Sequence, residues 1–222
     1  ESQLPIEDAI HITLEVADAL GYAHEKGVVH RDIKPENILL AGGHCLVADF
    51  GIARAATEAG EKLTQTGMAV GTPLYMSPEQ SMGDAVGPTA DIYSLGCVLY
   101  EMLAGTPPFT GPNARAIMAR HAMTPVSGLQ EVRASVPDEV EEAVLAALAK
   151  VPADRPQTAK AFCEIMGTPL GATATRRAGV RVTSTKHPSV RMTMEQFEAL
   201  KAAEAAVPVP VWKRPKAVAA AA

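Results

Sequence analysis

Residues 90–103 read ADIYSLGCVLYEML, a stretch that is apolar on nearly every side when wound as a helix. Such a helix must bury all of its faces, so other elements have to surround it at the centre of a domain. Gly105, Pro107 and Pro108 end the stretch, since glycine closes helices and proline cannot continue them. With 222 residues and a hydrophobic content of 47%, the chain can form one such core. The sequence therefore predicts a mostly helical domain around one central helix.

Hydrophobic periodicity predicts further elements on both sides of this helix. Apolar residues recur at helical spacing after Pro5 as far as Ala23, and Gly27 stops the pattern. Two short apolar runs, 37–40 and 45–48, flank a pair of glycines and predict a small β-hairpin. Residues 51–78 are rich in Gly, Thr, Ala and Pro and predict a long loop. Further helices are predicted at 114–123, 138–149 and 158–166.

The composition changes after residue 167. We expect residues 1–167 to form one domain and residues 168–222 to form a linker, a short helix at 194–206 and a juxtamembrane-like tail rich in Pro and Ala. Residues 212–216 read WKRPK and precede an alanine-rich end, which resembles the basic aromatic flank of a membrane helix. In that case the domain is the cytoplasmic part of a single-pass membrane protein, anchored beyond residue 222. The alternative is a disordered, alanine-rich end.

Charge and cysteine content restrict the classes of partner and compartment. The formal net charge of −5 argues against a protein that coats nucleic acid or anionic lipid. The three cysteines are an odd, widely spaced set without metal-ligand spacing, which favours a reduced cytosolic compartment: Cys45, Cys97 and Cys163. The chain begins with Glu1 rather than Met and has no signal-peptide features, so we expect a fragment or a processed product.

Three short motifs occur in a fixed order along the first half of the chain. Residues 30–37 read HRDIKPEN, residues 49–51 read DFG after the second predicted strand, and residues 77–79 read SPE at the end of the long loop. Transfer of a phosphoryl group requires an oriented hydroxyl, an acceptor for its proton and cations on the phosphate oxygens. The residue types in these motifs supply each of those parts.

Individual residues can be assigned to the parts, although each also has a plainer interpretation. Asp32 can accept the proton of a substrate hydroxyl, or can simply form a turn. Lys34 can direct a positive charge at the transferring phosphate, or can be an ordinary solvated lysine. Asn37 and Asp49 lie at the two ends of the hairpin, which brings them together as oxygen ligands for Mg²⁺; either alone would more often cap a helix or form a turn.

From Leu4 to Met166 these motifs resemble the eukaryotic-type protein kinases, and their bacterial branch most closely. The resemblance implies a protein kinase-like fold, represented here by a mainly α C-terminal lobe with a small hairpin around the catalytic loop. It implies ATP and Mg²⁺ as cofactors, Ser and Thr hydroxyls of proteins as acceptors, and no nucleic-acid partner. It also implies that Leu39 forms the lower wall of the adenine pocket, whereas by itself Leu39 is only a strand residue facing a core.

The resemblance also implies roles in regulation and peptide binding. Arg31 would hold a phosphorylated residue of the activation loop, for which Thr64 and Thr66 are the candidates. Loop threonines are common, so solvent-facing hydroxyls remain the alternative. Gly71 and Thr72 would form the substrate-binding P+1 loop, with the Thr72 hydroxyl bonded to the catalytic Asp and Lys as in serine/threonine-specific enzymes.

Other residues receive structural roles from the resemblance. Glu79 and Arg155 would form a buried ion pair that fixes the end of the activation segment to the helical base. Asp91 would reach back to the catalytic loop and hold its backbone; its alternative role is to cap the N-terminus of the central helix. The remaining structural residues of the motifs are His30, Phe50 and Gly51.

The chain departs from the kinase pattern mainly at its start. A kinase also needs a glycine-rich loop, a strand lysine and a helix glutamate, and none of them precedes Pro5. We therefore expect the N-terminal β-rich lobe to be missing and this chain alone to bind nucleotide weakly. Ser77 replaces the usual alanine, a small-for-small change. A truncated scaffold that docks partners through residues 106–124 is one alternative. Small-molecule phosphotransferases are another, although they usually lack the Lys-Pro pair of the loop.

Overall fold

The computed structural model describes residues 3–41, 44–50 and 73–167. The helices are α1 (Ile6–Glu25), α2 (Pro78–Met82), α3 (Pro88–Ala104), α4 (Ala114–Met123), α5 (Leu129–Val132), α6 (Asp138–Ala147) and α7 (Ala159–Ile165). The strands are β1 (Ile38–Ala41) and β2 (His44–Val47), which form a two-stranded antiparallel sheet. Two short 3₁₀ turns, Pro35–Asn37 and Pro152–Asp154, complete the described elements. This part of the chain is mostly helical, as predicted.

Helix α3 lies at the centre of the core. Thirteen of its 17 residues are buried, which confirms the prediction made from its all-round apolar surface. It starts at Pro88, whose ring fixes the backbone φ near its helical value. It ends at Gly105, whose φ of 84° lies in the left-handed region. Helices α1 and α6 pack against it, and α7 packs against both of those. The domain is therefore a set of helices around α3, and the hairpin packs against α1 through β2.

Helix α1 and the other main helices follow the predicted ranges closely. Pro5 is the N-cap of α1, and the helix closes before Gly27, which has a φ of 74°. Helix α4 has the predicted bounds, whereas α6 ends two residues earlier than predicted. The short helices α2 and α5 were not predicted, because four or five residues are too few to show a helical period.

The hairpin differs from the prediction by one residue at each strand. Ile38 pairs with Val47 and Leu39 with Leu46, so the strands are 38–41 and 44–47 rather than 37–40 and 45–48. The prediction was wrong at its edge because Asn37 completes a 3₁₀ turn instead of starting the strand. The backbone N–H of Ala48 still donates to the Asn37 carbonyl at 2.9 Å, which keeps the two strand ends together.

Some predictions fall outside the described residues. These are the glycine pair at the hairpin turn, most of the 51–78 loop, and the linker, short helix and tail at 168–222. All three cysteines are free thiols, with Cys97 and Cys163 buried. In the described ranges, no helix is long and apolar enough to cross a membrane.

The crossing of α3 and α6 is close enough to make glycine necessary at position 96. A Cβ atom there would lie 2.8 Å from the Cβ of Ala147 and 3.4 Å from the Leu148 side chain. We expect Gly96→Ala to lower the free energy of unfolding by about 1–2 kcal/mol, because overpacking outweighs the better helix propensity of alanine. Urea denaturation followed by circular dichroism measures the change.

Gly21 of α1 is the matched control for this substitution. A Cβ atom at Gly21 would meet only the Cβ of Ala159, at an ordinary 3.9 Å. Gly21→Ala should therefore raise the free energy of unfolding by up to about 1 kcal/mol. Equal stabilisation by both substitutions would contradict the close α3–α6 crossing.

Candidate active site

Asp91 of α3 holds the backbone of the loop 30–37, which carries the first motif. Its carboxylate is fully buried and accepts hydrogen bonds from the backbone N–H groups of His30 at 2.8 Å and Arg31 at 2.7 Å. The Nε2 atom of His24 on α1 lies 2.8 Å from the same carboxylate. The N-cap of α3 is Gly87, with no side-chain cap. These contacts fit the role of Asp91 in holding the loop backbone better than its alternative role as the N-terminal cap of α3.

The loop backbone is unusual at Arg31, which has a φ of 67°. Non-glycine residues rarely adopt this left-handed conformation, and surrounding contacts must maintain it. Besides the bond that the Arg31 N–H donates to Asp91, the side chain of Gln80 on α2 donates to the Arg31 carbonyl at 2.7 Å. Gln80 also completes a capping box with Ser77 at the start of α2. The start of α2 therefore helps to fix the loop.

Asp32, Lys34 and Asn37 form one hydrogen-bonded cluster. The Nζ atom of Lys34 lies 2.6 Å from the Asp32 carboxylate. The amide nitrogen of Asn37 donates to the Asp32 carbonyl at 2.7 Å and to its carboxylate at 3.2 Å. Asn37 is buried, whereas the Asp32 side chain is 40% exposed. A hydroxyl group can therefore reach a carboxylate whose orientation is fixed by two neighbours.

His30 connects this cluster to the residues that follow β2. Its Nε2 atom donates to the Ala48 carbonyl at 2.9 Å, and its Nδ1 atom accepts from the backbone N–H of Asp32 at 3.3 Å. This pattern requires a neutral ring with its proton on Nε2. The His30 and Phe50 rings lie 4.6 Å apart. His30, which is fully buried, thus fixes the separation between the two motifs.

Asp49 follows directly from this contact and has a φ of 55°, again in the left-handed region. It is exposed, and its neighbour Ala48 is hydrogen-bonded to the backbone of Asn37. Among the described hydrogen bonds, none uses the side-chain oxygen of Asn37. A carboxylate and an amide oxygen are ligands that suit Mg²⁺, which is usually bound through one or two carboxylates and the substrate phosphates. The residues present therefore fit the ion.

The hairpin offers an apolar surface beside these polar groups. Leu39 and Leu46 are cross-strand partners and so project from the same face of the sheet. Leu39 is partly buried, and Leu46 is 40% exposed. A flat apolar ring such as adenine could pack on this face.

Glu79 and Arg155 form a two-pronged ion pair in the interior. The distances are 2.7 and 2.8 Å, and the side chains are 6% and 0% exposed. Arg155 also donates to three backbone carbonyls, those of Ala149, Lys150 and Thr89, and its guanidinium lies 4.8 Å from the Tyr93 ring centre. Burial by itself would raise the pKa of Glu79, but the hydrogen bonds and charge of Arg155 hold that pKa below its ordinary value. The pair joins α2 to the segment before α7.

Sequence reasoning missed His24, which contacts Asp91, and Gln80, which bonds the loop backbone directly. Neither belongs to a motif, and a lone His or Gln carries no pattern that could reveal its partner. Five predicted site residues lie outside the described residues: Gly51, Thr64, Thr66, Gly71 and Thr72. Within the described ranges, no group of three or more His, Cys, Asp or Glu side chains could hold a metal ion.

Comparison with known proteins gives a consistent result. A family model described as "Protein kinase domain" matches residues 1–168. Serine/threonine-protein kinase PknB of Mycolicibacterium smegmatis is 44% identical over 152 residues, covering 68% of this chain and 24% of that protein. PknB of Mycobacterium tuberculosis is 42% identical over 163 residues, covering 72% and 26%, and PknD of the same organism is 46% identical over 149 residues, covering 66% and 22%. The chain spans about a quarter of the length of these relatives.

Proposed function

The chain belongs to the protein kinase family, in the branch of bacterial eukaryotic-type serine/threonine kinases, and from this we propose that it carries the phosphoryl-transfer loop of such an enzyme. The parent protein would transfer the γ-phosphoryl group of ATP to Ser or Thr hydroxyls of other proteins. The observation that carries the proposal is the cluster of Asp32, Lys34 and Asn37.

Each member of the cluster has a task in this reaction. Asp32 orients the acceptor hydroxyl and takes its proton, for which its partly exposed carboxylate is suited. Lys34, held against Asp32, places a positive charge where the transferring group acquires negative charge. Asn37 and Asp49 would hold Mg²⁺, which neutralises charge on the phosphates when bound. Leu39 would support the adenine ring from the hairpin face.

We extend the proposal to regulation and specificity on the basis of the motifs. Arg31 would hold a phosphorylated Thr64 or Thr66, and Thr72 with Gly71 would select Ser and Thr acceptors. An ATP-gripping lobe would complete the nucleotide site in the parent protein, and anchoring of that protein to a membrane remains a prediction. A scaffold without catalysis is less favoured, because it would have no use for Asp32, Lys34 and Asn37 in hydrogen-bonded contact.

The metal-binding part of the proposal predicts the effect of Asp49→Asn. In the full-length protein, this change should weaken Mn²⁺ binding in the presence of ATP by at least about tenfold, because one anionic oxygen ligand is lost. Affinity for ATP without metal should stay within about twofold, since Asp49 contacts only the metal in this scheme. Electron paramagnetic resonance measures bound Mn²⁺, and a fluorescent nucleotide measures ATP.

Asp8→Asn, which removes one exposed carboxylate from the first turn of α1, is the control for the loss of a single negative charge. It should leave both affinities unchanged. Equal Mn²⁺ affinity in wild type and Asp49→Asn would refute the metal assignment.

A further inference from the structure

Gln80 of α2 connects the start of that helix to the backbone of the loop 30–37. Its side-chain oxygen accepts from the backbone N–H of Ser77 at 3.1 Å and from the Ser77 hydroxyl at 3.0 Å. Its side-chain nitrogen donates to the Arg31 carbonyl at 2.7 Å. Only an amide serves both partners, because one end of the side chain must accept and the other must donate. The contacts of Gln80 therefore determine both the residue type and the orientation of its amide.

The capping box at the start of α2 does not by itself require glutamine. Glutamate and glutamine both serve at this position of a capping box, because either supplies an oxygen for the N–H group of the N-cap residue. A glutamate at position 80 would place a carboxylate oxygen against the carbonyl oxygen of Arg31, and neither oxygen could donate. The amide nitrogen of Gln80 is thus a group that the loop uses and the helix does not.

The bond from Gln80 holds the peptide group that directly precedes Asp32. The carbonyl of this group belongs to Arg31 and accepts from Gln80. Its N–H belongs to Asp32 and donates to the Nδ1 atom of His30 at a longer 3.3 Å. The Arg31 N–H donates to Asp91, so the peptide groups on both sides of Arg31 are held and its φ of 67° is maintained. The direction in which the Asp32 side chain leaves the backbone therefore depends on Gln80.

Gln80 can support the loop because the residue before it is fixed in the interior. Glu79 is paired with Arg155 through two hydrogen bonds of 2.7 and 2.8 Å. Helix α2 is therefore joined to the helical base at one residue and to the loop at the next. The loop is held from a helix whose own position is determined by a buried ion pair.

We propose that Gln80 is a positioning residue for phosphoryl transfer, which orients the Asp32 carboxylate toward the acceptor hydroxyl through the peptide group between Arg31 and Asp32. The proposal rests on the proposed kinase function, because that function gives Asp32 the task of orienting the hydroxyl. Displacement of a reacting group by about 1 Å can lower a rate about 10²-fold. Among the described contacts of Gln80, none reaches the hairpin 38–47 or Asp49. Its loss should therefore affect the transfer step more than binding of ATP.

Steady-state kinetics of the full-length protein with a Ser/Thr peptide test this role. Gln80→Glu keeps the oxygen of the capping box and removes only the donor to Arg31. It should lower kcat at least about tenfold, while the KM values for ATP and peptide stay within about threefold and the urea midpoint of unfolding stays near that of wild type. The control is Ser81→Ala, which removes a bond within α2, from the Ser81 hydroxyl to the Pro78 carbonyl at 2.7 Å, and should leave kcat unchanged. An unchanged kcat for Gln80→Glu, or a fall in kcat that is matched by a rise in the KM for ATP, would overturn the proposal.

Hydrogen exchange of the same protein provides a readout that does not need catalysis. Gln80→Glu should speed amide exchange at residues 31–33 at least about tenfold over Ser81→Ala, because a peptide group that can rotate exposes its N–H, and exchange in α3 should stay unchanged. If the wild-type protein phosphorylates no peptide but this local change occurs, the kinase proposal fails while the contact from Gln80 stands. Unchanged exchange at 31–33, or faster exchange throughout α3, would refute the positioning role. Should Gln80→Glu not fold, Gln80→Met removes the donor without adding a charge and should speed exchange at the same residues to a similar extent.

Discussion

Asp32→Asn should lower the rate of phosphoryl transfer by the full-length protein by about 10²–10⁴-fold. The amide cannot take up the hydroxyl proton, and it loses the charge that holds Lys34 at 2.6 Å. Folding should be retained, because the Asp32 carbonyl and backbone N–H keep their bonds to Asn37 and His30. The KM for ATP should stay within about threefold, since Asp32 acts on the acceptor hydroxyl rather than on the nucleotide. Initial rates with saturating peptide and Mg-ATP measure the effect.

The control for this substitution is Asp84→Asn, which removes an exposed carboxylate after α2 and should leave the rate unchanged. A rate for Asp32→Asn within threefold of wild type would show that Asp32 is a turn residue rather than the proton acceptor.

Arg155→Met should lower the free energy of unfolding by about 3–5 kcal/mol, which is the typical loss when one partner of a buried ion pair is removed. Glu79 would remain in the interior without its two hydrogen bonds, and three backbone carbonyls would also lose a donor. Urea denaturation measures the change. Lys160→Met is the control, because it breaks an ion pair on the surface. The Lys160 and Glu164 side chains are 3.8 Å apart and are 72% and 54% exposed. That control should cost less than about 0.5 kcal/mol.

The same pair predicts a dependence on pH. The pKa of Glu79 in the folded protein is held below its ordinary value of 4.5, so its ion pair contributes stability that is complete above about pH 4.5 and is lost as the pH falls through the folded-state pKa. The gap between wild type and Arg155→Met should therefore narrow as the pH falls, and the narrowing should begin above pH 4.5, because burial without Arg155 raises the pKa of Glu79 in the variant and protonation removes its uncompensated charge. A gap that does not change down to acid unfolding would contradict the ion-pair account. The double variant Glu79→Met, Arg155→Met should recover part of the loss, because no buried charge remains.

The sequence was most informative where a pattern is local. The all-round apolar stretch predicted α3. The meeting of Asn37 and Asp49 as metal ligands stays a prediction. Glu79 and Arg155 are 76 residues apart, so no periodicity could pair them, and only the family resemblance suggested the contact that the structure contains. The predicted strand bounds were wrong by one residue, because Asn37 ends a 3₁₀ turn instead of starting the strand.

Other features depend on tertiary contacts that leave no mark in the sequence. Arg31 and Asp49 adopt left-handed backbone conformations, which are uncommon for residues other than glycine and less common for Arg than for Asp. The Arg31 N–H donates to Asp91 and the Arg31 carbonyl accepts from Gln80, and these two bonds hold Arg31 in that form. None of the three residues could reveal this alone.

Phosphoryl transfer itself tests the central claim most directly. The full-length protein is incubated with Mg-ATP and three peptides that differ only in a Ser, Thr or Tyr acceptor, and the products are identified by mass spectrometry. We predict phosphoserine and phosphothreonine, no phosphotyrosine, and an initial rate of product formation about 10²–10⁴-fold lower with the Asp32→Asn protein. Phosphotyrosine as the main product would contradict the proposed specificity, and absence of any phosphopeptide with the wild-type protein would contradict the proposed activity.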